Sequence, residues 1–291
     1  DGVLEPVEAA ILARRMGLDF LILTDHNNSA QNERLPFFQD ITLIPGTEWT
    51  HYKGHAGFLG VKQAFRAPYF TASLQETADL FREAGENGAF RVINHPFCPL
   101  VPWEWDFTLP FDGLEVWNGV MSERNEKAAF WWHRQLCAGR RLPVTGGSDY
   151  HRPGLLGSLA MPCQCLYAAS RSQTDLMKAL RRGNGYLSYL PTGPQADLLT
   201  LSPEGHPASF GEDAAPGASV EIFFSGLCQG DEIRLLTDTA AESLSAPAGA
   251  AELKLTRRYP DAHFLRLELY RSYAPGLPPM KALLTNPVYF R

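Results

Sequence analysis

Apolar positions along the first two-thirds of the chain switch repeatedly between helical and strand-like spacing. Val7 and Ile11 recur four apart behind Pro6, which suits a first helical turn, and Gly17 can end that helix. The run Phe20-Leu21-Ile22-Leu23 predicts a buried strand, and residues 41–44 a second. Ser73 and Glu76 form a capping-box pair that opens a helix through Leu74, Ala78 and Phe81, with its end near Gly85 or Gly88. Arg91-Val92-Ile93, Leu114-Glu115-Val116 and Leu142-Pro143-Val144 read as further strands. Ser122 caps a helix running to Gly139. Ser172 with Asp175 caps another, with Leu176 and Leu180 on one face and Gly183 at its end. Alternation of this kind predicts a mostly parallel α/β domain over residues 1–191.

Beyond Pro191 the period shortens to two, and Pro, Gly and Ala punctuate it. Residues 219–224, 232–236, 251–255, 263–269 and 288–290 read as short strands, and 240–251 as an Ala/Ser/Pro-rich loop. Residues 192–291 are therefore expected to form a small antiparallel β domain. No solenoid-type repeat is present.

Composition narrows the partners. The 291 residues are 45% hydrophobic and carry a net charge of −6 with both signs interspersed, so a large core is affordable and duplex nucleic acid is an improbable partner. An acidic protein handling anionic phosphates would need local positive charge, which bound metal ions can supply. Five cysteines (Cys98, Cys137, Cys163, Cys165 and Cys228) show no zinc-ribbon spacing, and Cys163-x-Cys165 reads as buried thiols rather than a disulfide framework. No apolar run is long enough to cross a membrane as a helix. Localisation stays open, the cytoplasm being slightly favoured.

The chemistry gathers at the strand ends. Leu21-Ile22-Leu23 runs into Thr24-Asp25-His26, Leu43-Ile44-Pro45 into Gly46-Thr47-Glu48, and Val92-Ile93 into Asn94-His95-Pro96. Leu114-Glu115-Val116 runs into Trp117-Asn118, and Val144-Thr145 into Gly146-Gly147-Ser148-Asp149-Tyr150-His151. Strand ends that converge on one face would gather these side chains in one cleft. His, Asp and Glu together form the ligand set for Zn²⁺, Mn²⁺ or Fe. Any one of these motifs alone is as easily a helix cap or a turn; their ordered recurrence carries the argument.

The ordered set Asp-Gly, Thr-Asp-His, Gly-x-Glu, a further His, Asn-His-Pro and Gly-Ser-Asp-x-His resembles the polymerase and histidinol phosphatase (PHP) family. Gly113-Leu-Glu-Val-Trp-Asn118, Gly157 and the terminal Thr285-Asn286-Pro287-Val288-Tyr289 look like its carbaryl-hydrolase-like branch. The resemblance implies a distorted (β/α)7 barrel, TIM-like in outline, with two or three divalent ions (Zn, Mn or Fe) and hydrolysis of small-molecule phosphoesters. By the same resemblance Asp1, His26, Glu48, His55, His95, Asp149 and His151 are metal ligands, and His51 is a nearer but less well aligned competitor of His55. Asp1-Gly2 matches the close of the family's first motif, so two histidines and a strand are expected upstream of it.

Glu48 is the expected bridge between two ions that activate a shared water as hydroxide, and Asp25 is expected to orient a ligand or the water. Arg91, Lys53, Arg124 and Arg152 are candidate phosphate partners. Trp103 and Trp105, after Asn94-His95-Pro96, could line a substrate pocket, though core or loop packing is the commoner use of such aromatics and the favoured expectation. His133, His206 and His263 fall outside the pattern. Two other readings stay open: hydrolysis of carbon esters or carbamates on the same cluster, and a catalytically degenerate binding module.

Overall fold

The first helix, α1 (Pro6–Arg15), opens with a capping box between Glu5 and Glu8. Its buried face is Ala9, Ala10 and Ala13, while Val7 and Ile11 stay 43% and 39% exposed. The expected apolar face is thus turned outward, because small side chains let the helix approach its neighbours closely. This computed structural model describes residues 1–65, 72–154, 158–201 and 207–291; Gly157 and His206 lie outside them.

Six strands form the first sheet, in chain order: β1 (Phe20–Leu23), β2 (Thr42–His51), β3 (Gly54–Leu59), β4 (Phe90–Asn94), β5 (Gly113–Asn118) and β6 (Val144–Gly147). Helix α2 (Leu74–Glu86) precedes β4, and α3 (Glu123–Cys137) joins β5 to β6. The Ser73–Glu76 capping box forms as the sequence predicts: Ser73 Oγ accepts the Glu76 N–H and Glu76 Oε2 the Ser73 N–H. Around β2–β6, Trp49, Phe58, Phe81, Trp117 and Trp132 build an aromatic core, to which Trp103 and Trp105 belong.

Further along lie β7 (Cys163–Leu166), α4 (Gln173–Arg182), β8 (Gly185–Ser188), β9 (Gln195–Leu201), β10 (Asp213–Ala214), β11 (Ser219–Ser225), β12 (Glu232–Leu236), β13 (Ala241–Ser245), β14 (Glu252–Arg258), β15 (Phe264–Arg271), β16 (Met280–Thr285) and β17 (Val288–Phe290). One sheet runs β10-β17-β15-β16-β8-β7, with β12 and β13 added beside β15; a second runs β14-β11-β9. Their facing sides share a core that includes Phe210, Phe224, Leu267 and Leu283. Strand β8 pairs with β16, so this sheet reaches across the boundary expected at Pro191. Strand β13 occupies part of the stretch expected as a loop; it pairs residue for residue with β12.

The expected (β/α)7 barrel, and with it the TIM-like outline, is overturned. Among the described residues strand accounts for 34% and helix, the 3-10 helix included, for 19%, with four α-helices, and the first sheet curls without becoming such a barrel. Parallel neighbours need long crossovers, whereas a short turn can only return the chain antiparallel. Tyr52-Lys53 alone separates β2 from β3, and β3 lies antiparallel to both β2 and β4. A 3-10 helix (Ala30–Arg34), not an α-helix, lies between the parallel β1 and β2. Strand β7 leaves the sheet to pair antiparallel with β8. The motif residues mark strand ends, but strand directions depend on connection lengths that the apolar pattern blurs.

Candidate functional site

Strand ends of the first sheet do meet. Asp1, His26, Glu48, His95, Asp149 and His151 line one cavity of about 960 Å³. Glu48 lies inside β2, where Gly46-Thr47-Glu48 continues the strand, and pairs with His26 just past β1 in a parallel bridge. His55 is the second residue of β3 and faces back across the hairpin. His95 follows β4, and Asp149 and His151 follow β6.

Glu48 is the centre of the arrangement. Its Oε2 lies 3.2 Å from His26 Nδ1, and its Oε1 lies 3.3 Å from His55 Nδ1 and 3.6 Å from His95 Nε2. Asn94 Nδ2 donates to the same Oε1 at 2.8 Å and so fixes the carboxylate rotamer. A second group adjoins it: Asp1 Oδ1 is 3.6 Å from His26 Nε2 and 3.3 Å from His151 Nε2, and the two Nε2 atoms are 3.4 Å apart. Asp149 Oδ1 is 3.7 Å from His151 Nδ1. Two triads, Asp1/His26/His151 and His26/Glu48/His55, each bring one ligand atom per residue within 4.8 Å of the others. They share His26 through its opposite ring nitrogens.

The backbone is bent to make this possible. Four non-glycine residues among those described have positive φ, and three are Asn27 (49°), His95 (28°) and Asp149 (50°), each in or beside the cluster. Such conformations persist only where their surroundings hold them. Asn27 is held by two side-chain bonds to the Thr50 main chain, and His95 by its N–H donating to Glu115 Oε2 at 2.8 Å. Thr50 Oγ1 sits 2.5 Å from His26 Nδ1, an outer partner that orients the ring.

Charge follows the packing. Burial alone would raise the Glu48 carboxyl, but its contacts with His55 and His95 outweigh burial and hold it far below the usual range. For His95 burial acts downward, yet Glu48 and Glu115 carry it up to about 9. Burial pushes Glu115 up to about 8, with Asp149 and Glu48 adding to the rise against His95. His26 is lowered, first by burial. Two carboxylates in one pocket are thus driven in opposite directions by their surroundings.

Every expected ligand except His55 lines the cavity, and His55 reaches Glu48 from the neighbouring strand. His51 instead stacks among Trp49, Tyr52 and Trp105, and its Nδ1 accepts the Lys53 N–H. Asp25 lines the cavity as an exposed side chain, and its carbonyl accepts the Glu48 N–H; no hydrogen bond joins its carboxylate to an expected ligand among the described residues. Of the candidate cations, Arg91 is bound bidentately by Asp112, Lys53 lies over the Trp105 ring, and Arg124 donates to Asn118 beside the cavity. Arg34 and Arg171, which line the cavity, lie outside every motif. So do the supporting Asn27 and Thr50, while Asn94 and Glu115 sit within motifs whose reading assigns them no role. A signal exists in the Asn directly after Asp25-His26, since Asn tolerates positive φ. No protein-family model matches the chain, and none of the curated proteins matches it.

Proposed function

We propose that this pocket is the site of a metal-dependent hydrolase acting on phosphate esters. The carrying observation is the buried Glu48 carboxylate with imidazole nitrogens of His26, His55 and His95 within 3.6 Å of it. The donor set fits divalent cations on its chemistry, and the buried Nδ1 of His95 lacks a hydrogen-bond partner, as an unused ligand atom would. Glu48 and His55, with His95 beside them, would hold one ion; Asp1, His151 and His26 through its Nε2 would hold another, with Asp149 alongside. When bound, such ions lower the pKa of water toward neutrality and polarise the ester oxygen.

The remaining residues act by position. Asn94 keeps Glu48 pointing inward, Thr50 orients the His26 ring, and Glu115 pins the backbone that carries His95. The choice of phosphate esters rests on the resemblance of the ordered motifs to the PHP family. The test is elemental analysis of the purified protein together with a panel of chromogenic phosphomonoesters, phosphodiesters and aryl carbamates. Bound transition metal, phosphoester turnover, and loss of both in Glu48→Gln are expected. Metal-free protein after reconstitution attempts, or unimpaired turnover in that variant, would sink the metal reading. Turnover of carbamates alone would overturn the substrate class.

A further inference from the structure

At the opposite end of the first sheet, four arginines come from two dipeptides. Arg140 and Arg141 follow α3, and Arg181 and Arg182 end α4. All four line a cleft of about 850 Å³ together with Phe90, Phe111 and Tyr289. Phe90 begins β4, whereas His95 lies just past its end, so the cleft and the Glu48 cluster are separated by roughly 15 Å at the usual rise per strand residue.

Basic residues near helix C-termini complement the helix dipole, and two of these arginines have such structural work. Arg181 donates to the Gly88 and Ala89 carbonyls beyond α2, and Arg141 pairs with Asp213 at 2.8 Å and lies 4.1 Å from the Tyr289 ring centroid. Arg140 and Arg182 lack such partners, Arg182 having only the C-terminus of α4 beside it. Neither side chain makes a hydrogen bond or ion pair among the described residues, though Arg140 is half-buried with its guanidinium 4.4 Å from the centroid of the Phe111 ring. The cleft's carboxylates are already engaged: Asp112 by Arg91, Asp213 by Arg141, and Glu212 by the Ser209 N–H. A desolvated guanidinium without a counter-charge is costly unless something anionic completes it. Stacking on Phe111 also holds the planar Arg140 fork ready for an oxyanion, and the exposed Arg182 can reach the same ligand from the end of α4.

We propose that this cleft is a second anion site, taking a phosphate-bearing small molecule through Arg140 and Arg182. Phosphate oxygens accept from two guanidinium forks at once, which a single carboxylate does less well. The site is independent of the Glu48 cluster and does not rest on the hydrolase reading. It is tested by calorimetric titration of the whole protein with inorganic pyrophosphate at low ionic strength, with chelator present to silence any metal-borne affinity, and with citrate in a parallel arm. One saturable site is expected, weakened about tenfold or more in the double variant Arg140→Ala/Arg182→Ala and unchanged in Glu48→Gln. An Arg140→Lys/Arg182→Lys pair, which keeps charge but loses the forks, should fall between; it also decides the matter if the alanine pair fails to fold. Absent saturation, undiminished binding in the variants, or citrate bound as tightly as pyrophosphate overturns the proposal.

Discussion

Asn27 exchanges two hydrogen bonds with the main chain of Thr50, its Nδ2 donating to the carbonyl and its Oδ1 accepting the N–H, both at 2.9 Å. The side chain thereby extends the β1–β2 pairing by one rung and sets His26 against Glu48, where the sheet itself has ended.

Removing that rung should cost both stability and the site. Asn27→Ala deletes two bonds and places Ala at φ 49°, for a combined loss of about 2–4 kcal/mol. Asn27→Gly tolerates the φ and loses only the bonds, so it should be the milder variant. Urea unfolding of the two gives the difference. A neutral result for Asn27→Ala would mean that His26 is positioned by Thr50 and Asp1 without the rung.

A second outcome concerns the buried charges that tie α3 to the C-terminal sheet. Glu268 accepts from Arg266 at 2.7 Å and faces Lys281 Nζ at 3.1 Å, and Lys281 also reaches Glu126. Burial would raise the Glu268 carboxyl, but Lys281 and Arg266 draw it well below its ordinary value. A carboxyl depressed on folding stabilises the fold fully above its unfolded pKa, and that contribution drains away as pH falls through the folded one. Acid should therefore weaken the protein below about pH 4.5 through this group. Glu268→Gln should lose about 3–5 kcal/mol at neutral pH, because buried Arg266 loses its carboxylate and buried Lys281 is left with Glu126 alone. It should also show a shallower fall in acid. Denaturant midpoints at pH 7 and pH 4 measure both; parallel pH slopes in the variant and the parent would sink the assignment.

Site and fold differ in how legible they are in the sequence. Strand-end position marks His26, Glu48, His95, Asp149 and His151 among several other polar residues, and only the resemblance to the PHP family singles them out; all five line the cavity. Their supports are less visible: Asn27 and Thr50 act through main-chain bonds across 23 positions, and no local pattern encodes that. The barrel expectation fails on connection lengths. Tyr52-Lys53 is a hairpin turn inside what reads as one motif region, and the loop from His95 to Asp112 packs Trp103 and Trp105 where a barrel would place a crossover helix. In α1 the period is right and the face wrong, since Ala9, Ala10 and Ala13 fill the interface while Val7 and Ile11 look outward.

The β2–β3 hairpin supplies the last test. Gly54 opens β3 at φ 127°, a conformation open only to glycine, and a Cβ there would lie 2.6 Å from Trp103 Cε3 and 3.0 Å from Trp103 Cα. The second contact is with backbone, so no rotamer change relieves it. Gly54→Ala must push the hairpin away from the Trp103 loop, at a cost of several kcal/mol. His55 is the next residue, and the same displacement carries its ring away from Glu48. Gly54→Ala should therefore unfold earlier in denaturant and, where it still folds, bind metal more weakly than the parent. A destabilised variant with full metal affinity would show that the His55–Glu48 contact does not depend on the hairpin's close seat against Trp103.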